Sequence, residues 1–239
     1  MAKLHLIPVS LAEAGVIPFS QTHGMAVLDT IRSLRHFVCE NARTARRMLA
    51  SAEMPVPIQE ITFIEIPRDA KPEDWRNMLS PCLDKISPID IGLLSEAGCP
   101  AVADPGALLV EAAYAAGITV VPHVGPSSIL LAVMASGMSG QSFAFVGYLP
   151  QEANARIAQI QALEKHSASM RQTQVFIETP YRNTALLAAL AKNCKPSTRI
   201  GVCIDLTSPT EWCQTRKARA WLSDVPSLDK RQAIFTLMA

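Results

Sequence analysis

From Glu96 to Gly106 the sequence reads EAGCPAVADPG, eleven residues with two glycines, two prolines and two carboxylates. Glycine lets backbone come close to a ligand and proline keeps it rigid, so this turn offers main-chain groups as much as side chains. Three more punctuated turns are GPSS (125–128), ETPYRN (178–183) and DLTSPTE (205–211). Each of the four follows an apolar run that reads as a strand: DIGLL, ITVVPHV, QVFI and RIGVCI. In open α/β sheets ligands bind beyond the carboxyl ends of strands. Helix starts at Gly106 and Ser127 would add free N–H groups suited to a carboxylate or phosphate. Facing turn clusters of this kind suit one ligand that is polar at one end and flat at the other.

Few side chains are placed for acid–base work. Glu40 ends the apolar run HFVC, and Glu178 sits in IETP. Either can act as a proton acceptor; either can instead cap the next turn or pair with an arginine. Arg43, Arg46 and Arg47 share one helix face at i, i+3 and i+4, suited to phosphate contacts or to a solvated face with ion pairs. Arg182 follows a turn and can take an acidic substrate group. His5 and His36 lie in strand patterns and His166 on a polar helix, all read as structural, while His123 beside the interdomain turn is open. No histidine has metal-ligand spacing and no two of the six cysteines form C-x-x-C, so no metal is expected. The cysteines read as reduced core thiols.

The elements that must position these residues alternate regularly. LHLIPV, HFVCE, ITFIEIP, DIGLLS and ITVVPHV read as strands, separated by helices over AVLDTIRSLRHF, NARTARRMLASA, PEDWRNMLSPCLDKI and GALLVEAAYAAG. Asn41 can cap the second helix, Pro72 opens the third and Gly117 stops the fourth. The pattern then restarts with helices SSILLAVMASG, EANARIAQIQALEKHSASM and NTALLAALAKN, and strands SFAFVGYL, QVFIETP and RIGVCIDL. EWCQTRKARAWLSD reads as a strand running into a helix, and AIFTLM as a last strand. Near-continuous apolar strands alternating with helices predict α/β architecture with mainly parallel sheets covered on both faces. The alternation pauses at PHVGPSS, dividing the chain into α/β domains over 1–122 and 123–239. Ser10 to Gly24 is long for a strand-to-helix connection, which favours a functional or mobile loop.

Of 239 residues, 49% are hydrophobic, enough for a substantial core. The formal net charge is +1, from 22 basic and 21 acidic side chains, so contact with nucleic acid must come from a local patch. No apolar run reaches the ~20 residues of a membrane span, and MAKLHLIPVS lacks a signal-peptide core. A soluble, cytoplasmic protein without membrane contact is expected.

LLSEAGCPAVADPGALLVEAAYAAGITVVPHVGPSSILLAVMASG resembles the S/D-x-A-G-x-P-x-x-x-D-P-G … G-I-x-V-x-x-x-P-G-P region of the tetrapyrrole methylase superfamily. FVGYLP, FIETPYRN, AIFTLMA and ENARTARRML match landmarks of one branch, the small-subunit ribosomal RNA cytidine 2′-O-methyltransferases, in the right order. The resemblance spans essentially the whole chain. It implies a homodimer of two-domain α/β chains, with S-adenosylmethionine in a cleft between the domains, held largely by main-chain groups. Carried over, Pro8, Ser95, Glu96, Ala97, Gly98, Asp104, Pro105, Gly106, Ser127 and Ser128 line the cofactor, and Thr179, Gln232 and Ala233 reach its adenosine end.

Two departures bear on the substrate. The branch's first turn, P-I-G-N-L, is here PVSLAE, and its E-D-T-R is here ENAR. The P-loop and a G-x-G-x-x-G after the first strand are both absent, which disfavours kinase-like and Rossmann readings. Three functions stand: an S-adenosylmethionine-dependent methyltransferase of RNA, one of a small molecule such as a tetrapyrrole, or a non-catalytic nucleotide-binding protein on the same scaffold.

Overall fold

The computed structural model describes residues 2–13 and 16–239. They form two compact units, Met1–Ser127 and Ser128–Ala239. The division falls after the sequence-based boundary at 122/123. The residues that follow Pro122 still belong to the first unit: the His123 N–H donates to the Leu6 carbonyl at 3.0 Å, and Gly125 lies against Pro8.

The first unit is a fully parallel sheet in the order β3-β2-β4-β1-β5. Its strands are β1 (Lys3–Ile7), β2 (His36–Cys39), β3 (Thr62–Glu65), β4 (Ile91–Leu94) and β5 (Thr119–Pro122). The crossovers are α1 (Met25–Ser33), α2 (Ala42–Ser51), α3 (Pro72–Met78) and α4 (Gly106–Ala115). Chain-starting signals act as their chemistry dictates. Asn41 Oδ1 accepts from the Arg43 and Thr44 N–H groups at 2.9 and 3.3 Å, and Asp74 Oδ2 accepts from the Lys71 N–H at 2.8 Å.

Two cores cover the two faces of this sheet. Ile7, Phe37 and Leu94 pack with Leu28, Ile31 and Leu49 of α1 and α2. Leu4, Val38 and Leu93 pack with Trp75 and Leu109 of α3 and α4. From β1 the chain crosses toward β2 and β3; from β4 it crosses the other way, over β1, to β5. Adjacent β1 and β4 therefore release their chains to opposite faces, which opens a crevice at their carboxyl ends.

The second unit contains α5 (Ser128–Ser136), β6 (Phe143–Tyr148), α6 (Ala153–Met170), β7 (Thr173–Glu178), α7 (Asn183–Asn193), β8 (Arg199–Ile204), β9 (Trp212–Lys217), α8 (Ala218–Trp221) and β10 (Ala233–Met238). Its sheet order is β6-β7-β10-β8-β9. Only β6 and β7 pair in parallel; β10 runs antiparallel to both β7 and β8, and β9 antiparallel to β8. The expectation of mainly parallel sheets thus holds for the first unit, and the second sheet is mixed. The segment between β8 and β9 is too short for a crossover, so it can only turn back. The last strand then enters the centre of the sheet. Phe176, Phe235, Val202 and Trp221 are fully buried in the single large core there, and the Trp221 indole donates to the Ile200 carbonyl at 3.0 Å.

Candidate functional site

In the first unit the predicted turns converge at the carboxyl end of the parallel sheet. Val9 and Gly98 exchange backbone hydrogen bonds at 2.8 and 3.2 Å, which ties the turn after β1 to the turn after β4. Pro8 and Ser95 flank this bridge, and Ser95 Oγ donates to the Gly98 carbonyl at 2.9 Å. Glu96 and Ala97 stand exposed at the apex of the turn. Gly98 has φ +75°, the left-handed region that glycine enters without cost.

Asp104 organises the rest of the motif. Its Oδ1 accepts from the N–H groups of Ala101 and Gly106, both at 2.8 Å. This holds Ala101 and Ala103 at φ 65° and 63°, unusual for residues with a Cβ, before Pro105 starts α4. A Cβ on Gly106 would lie 2.9 Å from both Asp104 Oδ1 and Leu93 Cδ2, so only glycine lets the helix begin this close to the sheet. Cys99 Sγ reaches the Pro126 carbonyl at 3.5 Å, which brings the GPSS turn alongside. Ser127 hydrogen-bonds the Cys99 thiol, and Ser128 is the first residue of α5.

Three carboxylates gather around this turn. Glu40, directly after β2, has its pKa raised by burial and then by the negative charges of Asp104 and Glu96. Burial also raises the pKa of Asp104, against the opposing effect of the two N–H groups it accepts from. Glu40 and Pro105 line a cavity of about 410 Å³ together with Arg68 and Trp75. Arg68 was not singled out by the sequence; only its place three residues beyond β3 could have marked it. The arginines of α2 are all exposed. Arg46 lies 5.0 Å over the Phe63 ring and Arg47 pairs with Glu13 at 3.2 Å, whereas Arg43 has no ion pair among the described residues.

The loop 10–24 includes Ala14 and Gly15, which lie outside the described residues. Its later part is anchored. Phe19 is buried, and His23 stacks on it with ring centroids 3.7 Å apart. His23 Nε2 donates to the Pro8 carbonyl at 2.8 Å, and its Nδ1 lies 2.9 Å from Thr22 Oγ1. Burial lowers the His23 pKa, which keeps the ring neutral. His23 therefore fixes the first turn from beneath, a role that nothing in its sequence surroundings signals. The open case, His123, bonds His5 at 2.9 Å, and His5 in turn contacts Asp90 at 3.2 Å. No group of histidine, cysteine and carboxylate side chains is arranged for a metal among the described residues.

In the second unit Glu178 is buried at the end of β7. Its Oε1 accepts from the Thr179 N–H at 2.7 Å and from Arg182 Nε and Nη2 at 3.0 and 2.6 Å. Arg182 Nε also reaches Thr179 Oγ1 at 3.1 Å. Glu178 faces Ala233 across the ladder, and Ala233 faces Ile204. Beside them Asp205 Oδ1 accepts from the Gln232 N–H at 3.2 Å, while its Oδ2 binds Arg231 Nε at 2.6 Å. Thr179, Arg182, Gln232 and Ala233 are thus gathered at one end of this sheet. Asp205 and Thr207, in the adjoining turn, have φ 48° and 68°. The strained turn after β4 carries seven of the predicted residues, Ser95 to Gly98 and Asp104 to Gly106, whereas the strained turn at Asp205 and Thr207 carries none and lies beside Gln232 and Ala233.

A family profile described as Tetrapyrrole (Corrin/Porphyrin) Methylases matches residues 25–219. The chain belongs to this methylase family. It is 31% identical over 180 residues to the "Ribosomal RNA small subunit methyltransferase I" of Vibrio cholerae, covering 75% of this chain and 56% of that protein. To the protein of the same name from Micromonospora olivasterospora it is 29% identical over 188 residues, 79% of this chain and 54% of that one. The chain spans about half the length of the curated relatives it matches. Solved methylase structures share the fold. The methyltransferase CobJ superposes with a TM-score of 0.63 at 16% identity, covering 99% of this chain and 94% of that one. A Thermus thermophilus uroporphyrin-III C-methyl transferase, solved with S-adenyl homocysteine, superposes with a TM-score of 0.57 at 15% identity, covering 99% and 97%.

Proposed function

We propose that this chain is an S-adenosylmethionine-dependent methyltransferase of RNA, as the names of its curated relatives suggest. The observation that carries the reading is the Asp104-braced turn at the crevice of a parallel sheet, in a chain of the methylase family. The residues fit the cofactor. Gly98 and Gly106 are backbone-only positions in tight surroundings, as a site that grips its ligand by main-chain groups requires. Pro8, Ser95, Glu96, Ala97, Pro105, Ser127 and Ser128 complete the proposed lining, with Thr179, Gln232 and Ala233 assigned to the adenosine end.

When bound, S-adenosylmethionine supplies a methyl group that is already activated. The chain then has to align the acceptor, exclude water and hold a proton. A ribose hydroxyl must lose its proton as it reacts, and Glu40 is the group poised for this: half-buried, lining a cavity, and with its proton affinity raised by burial and then by the charges of Asp104 and Glu96. Glu178 we assign a positioning role, since Arg182 and the Thr179 N–H occupy its Oε1. Arg68 in the cavity and Arg43, Arg46 and Arg47 on α2 are assigned to RNA phosphates, and Arg182 to orienting Thr179. A homodimer in the cytoplasm completes the proposal. It is compatible with the absence, among the described residues, of a helix long and apolar enough to cross a membrane.

The test is incubation with methyl-tritiated S-adenosylmethionine and either small-subunit ribosomal RNA or a small-molecule extract. Label in the RNA is the expected result. Label confined to the small-molecule fraction would overturn the RNA assignment, and no label in either would overturn the enzymatic one.

A further inference from the structure

Cys203 on β8 and Cys213 on β9 are direct cross-strand partners. Bonded and non-bonded pairs alternate along an antiparallel ladder. The Ala218 N–H donates to the Thr198 carbonyl at 2.8 Å, which makes Thr198 and Ala218 a bonded pair. Cys203 lies five positions farther on (203 − 198), so Cys203 and Cys213 form a non-bonded pair. On the other side of β8 the Asp205 N–H donates to the Gln232 carbonyl at 2.9 Å. By the same alternation, the backbone groups of Cys203 are turned to β10 and away from β9. In a non-bonded pair the Cα atoms are about 4.5 Å apart, within the roughly 4.4–6.8 Å that a disulfide spans. Burial raises the pKa of both thiols, and the side-chain interaction between them raises Cys203 further while it opposes the rise at Cys213, as expected if Cys203 donates. Both are free, with Cys203 buried and Cys213 half-exposed.

We infer that Cys203 and Cys213 are a redox modification site, closing to an intramolecular disulfide when the chain meets a disulfide oxidant such as oxidised glutathione. The Cys213 thiolate, its proton lost to solvent, attacks one sulfur of oxidised glutathione. The S–S bond breaks and one glutathione leaves as a thiol. The Cys203 thiolate then attacks the Cys213 sulfur of the mixed disulfide and expels the second glutathione. Two protein thiols are oxidised and one glutathione disulfide is reduced to two thiols, so electrons and protons balance. The exposed member is the one an oxidant can reach, and the buried member is already in place to resolve the adduct.

The bond would clip together the two ends of the strained turn that holds Asp205. Asp205 in turn fixes Arg231 and Gln232. The other cysteines compete poorly. Cys39, Cys82 and Cys194 are buried elsewhere in the chain, and Cys99, of intermediate exposure, bonds Pro126 and Ser127 and no cysteine among the described residues. Burial, and to a lesser extent the negative charge of Glu211, opposes thiolate formation at both thiols. Closure should therefore quicken as pH rises above neutral.

The full chain is incubated with oxidised glutathione, denatured, alkylated and mapped by mass spectrometry. The expected result is a peptide cross-linked through Cys203 and Cys213, loss of two of the six alkylatable thiols, and full recovery with dithiothreitol. Cys203→Ser should stop at a glutathione adduct on Cys213, and Cys213→Ser should leave Cys203 unmodified. The native chain needs no substitution for its own reading. A stable adduct on Cys213 with Cys203 still alkylatable would overturn the site, as would both cysteines remaining thiols or Cys213 bonding a different cysteine.

Discussion

At the residue scale the first unit concentrates negative charge where a proposed proton acceptor is needed. Burial raises the proton affinity of Glu40 and of Asp104, and the negative charges of Asp104 and Glu96 raise that of Glu40 further. The sign follows from linkage: a carboxyl whose folded pKa is raised binds protons more readily in the native state, so stability rises as pH falls through that value. Glu40→Gln removes one such group. It is expected to leave stability at neutral pH equal or higher, while lowering methyl transfer by about a hundredfold or more with cofactor affinity unchanged. Urea unfolding at pH 7 and single-turnover kinetics read the two effects separately. A fall in stability together with unchanged turnover would remove Glu40 from the chemistry. His23 has the opposite sign. Its folded pKa lies below the ordinary 6.5, so its contribution is present above pH 6.5 and is lost as pH falls toward the folded value. His23→Gln is expected to flatten the acid limb of a stability–pH profile between pH 7 and 5. An unaltered limb would show that His23 has the same pKa folded and unfolded, so that burial does not depress it.

At the element scale most of the architecture was legible. Every strand and helix expected from apolar runs and caps is present, because these elements are specified by local signals such as Asn41, Pro72 and Gly117; the helix opened by Pro72 departs most, ending at Met78 and not at Ile86, since Pro81 cannot continue it. The Asn41 cap is the sharpest instance. Asn41→Ala is expected to cost about 1 kcal/mol, read as a drop of about 3 °C in the melting midpoint. Strand direction in the second sheet was not legible. Buried strands of parallel and antiparallel sheets carry the same apolar run, and β10 joins the centre of its sheet only through long-range pairing with β7 and β8. The strained backbone at Ala101, Ala103, Asp205 and Thr207 was equally hidden, since side-chain identity does not announce a positive φ when the residue is not glycine. The turns themselves were visible through glycine and proline. What each side chain touches, such as Glu178 with Arg182 or His23 with Pro8, depended on folding.

At the scale of the whole molecule, a net charge of +1 supplies no general attraction for nucleic acid. RNA binding must therefore rest on a few arginines, two of which already have partners: Arg46 over Phe63 and Arg47 with Glu13. Exposed pairs of this kind are weak, so an RNA phosphate can displace Glu13 at small cost. Substituting Arg43, Arg46 and Arg47 by alanine together is expected to reduce the slope of log K against log salt by about 2. Filter binding over a salt series reads this, and an unchanged slope would place the RNA contact elsewhere.

The central claim is that the Asp104-braced turn holds S-adenosylmethionine, and calorimetric titration with S-adenosylmethionine and S-adenosylhomocysteine tests it most directly. The native chain should bind both at micromolar concentration. Asp104→Ala, which frees the Ala101 and Gly106 N–H groups, should bind at least tenfold more weakly while remaining folded by circular dichroism. No heat with the native chain at millimolar ligand, or equal affinity in a folded Asp104→Ala variant, would contradict the account.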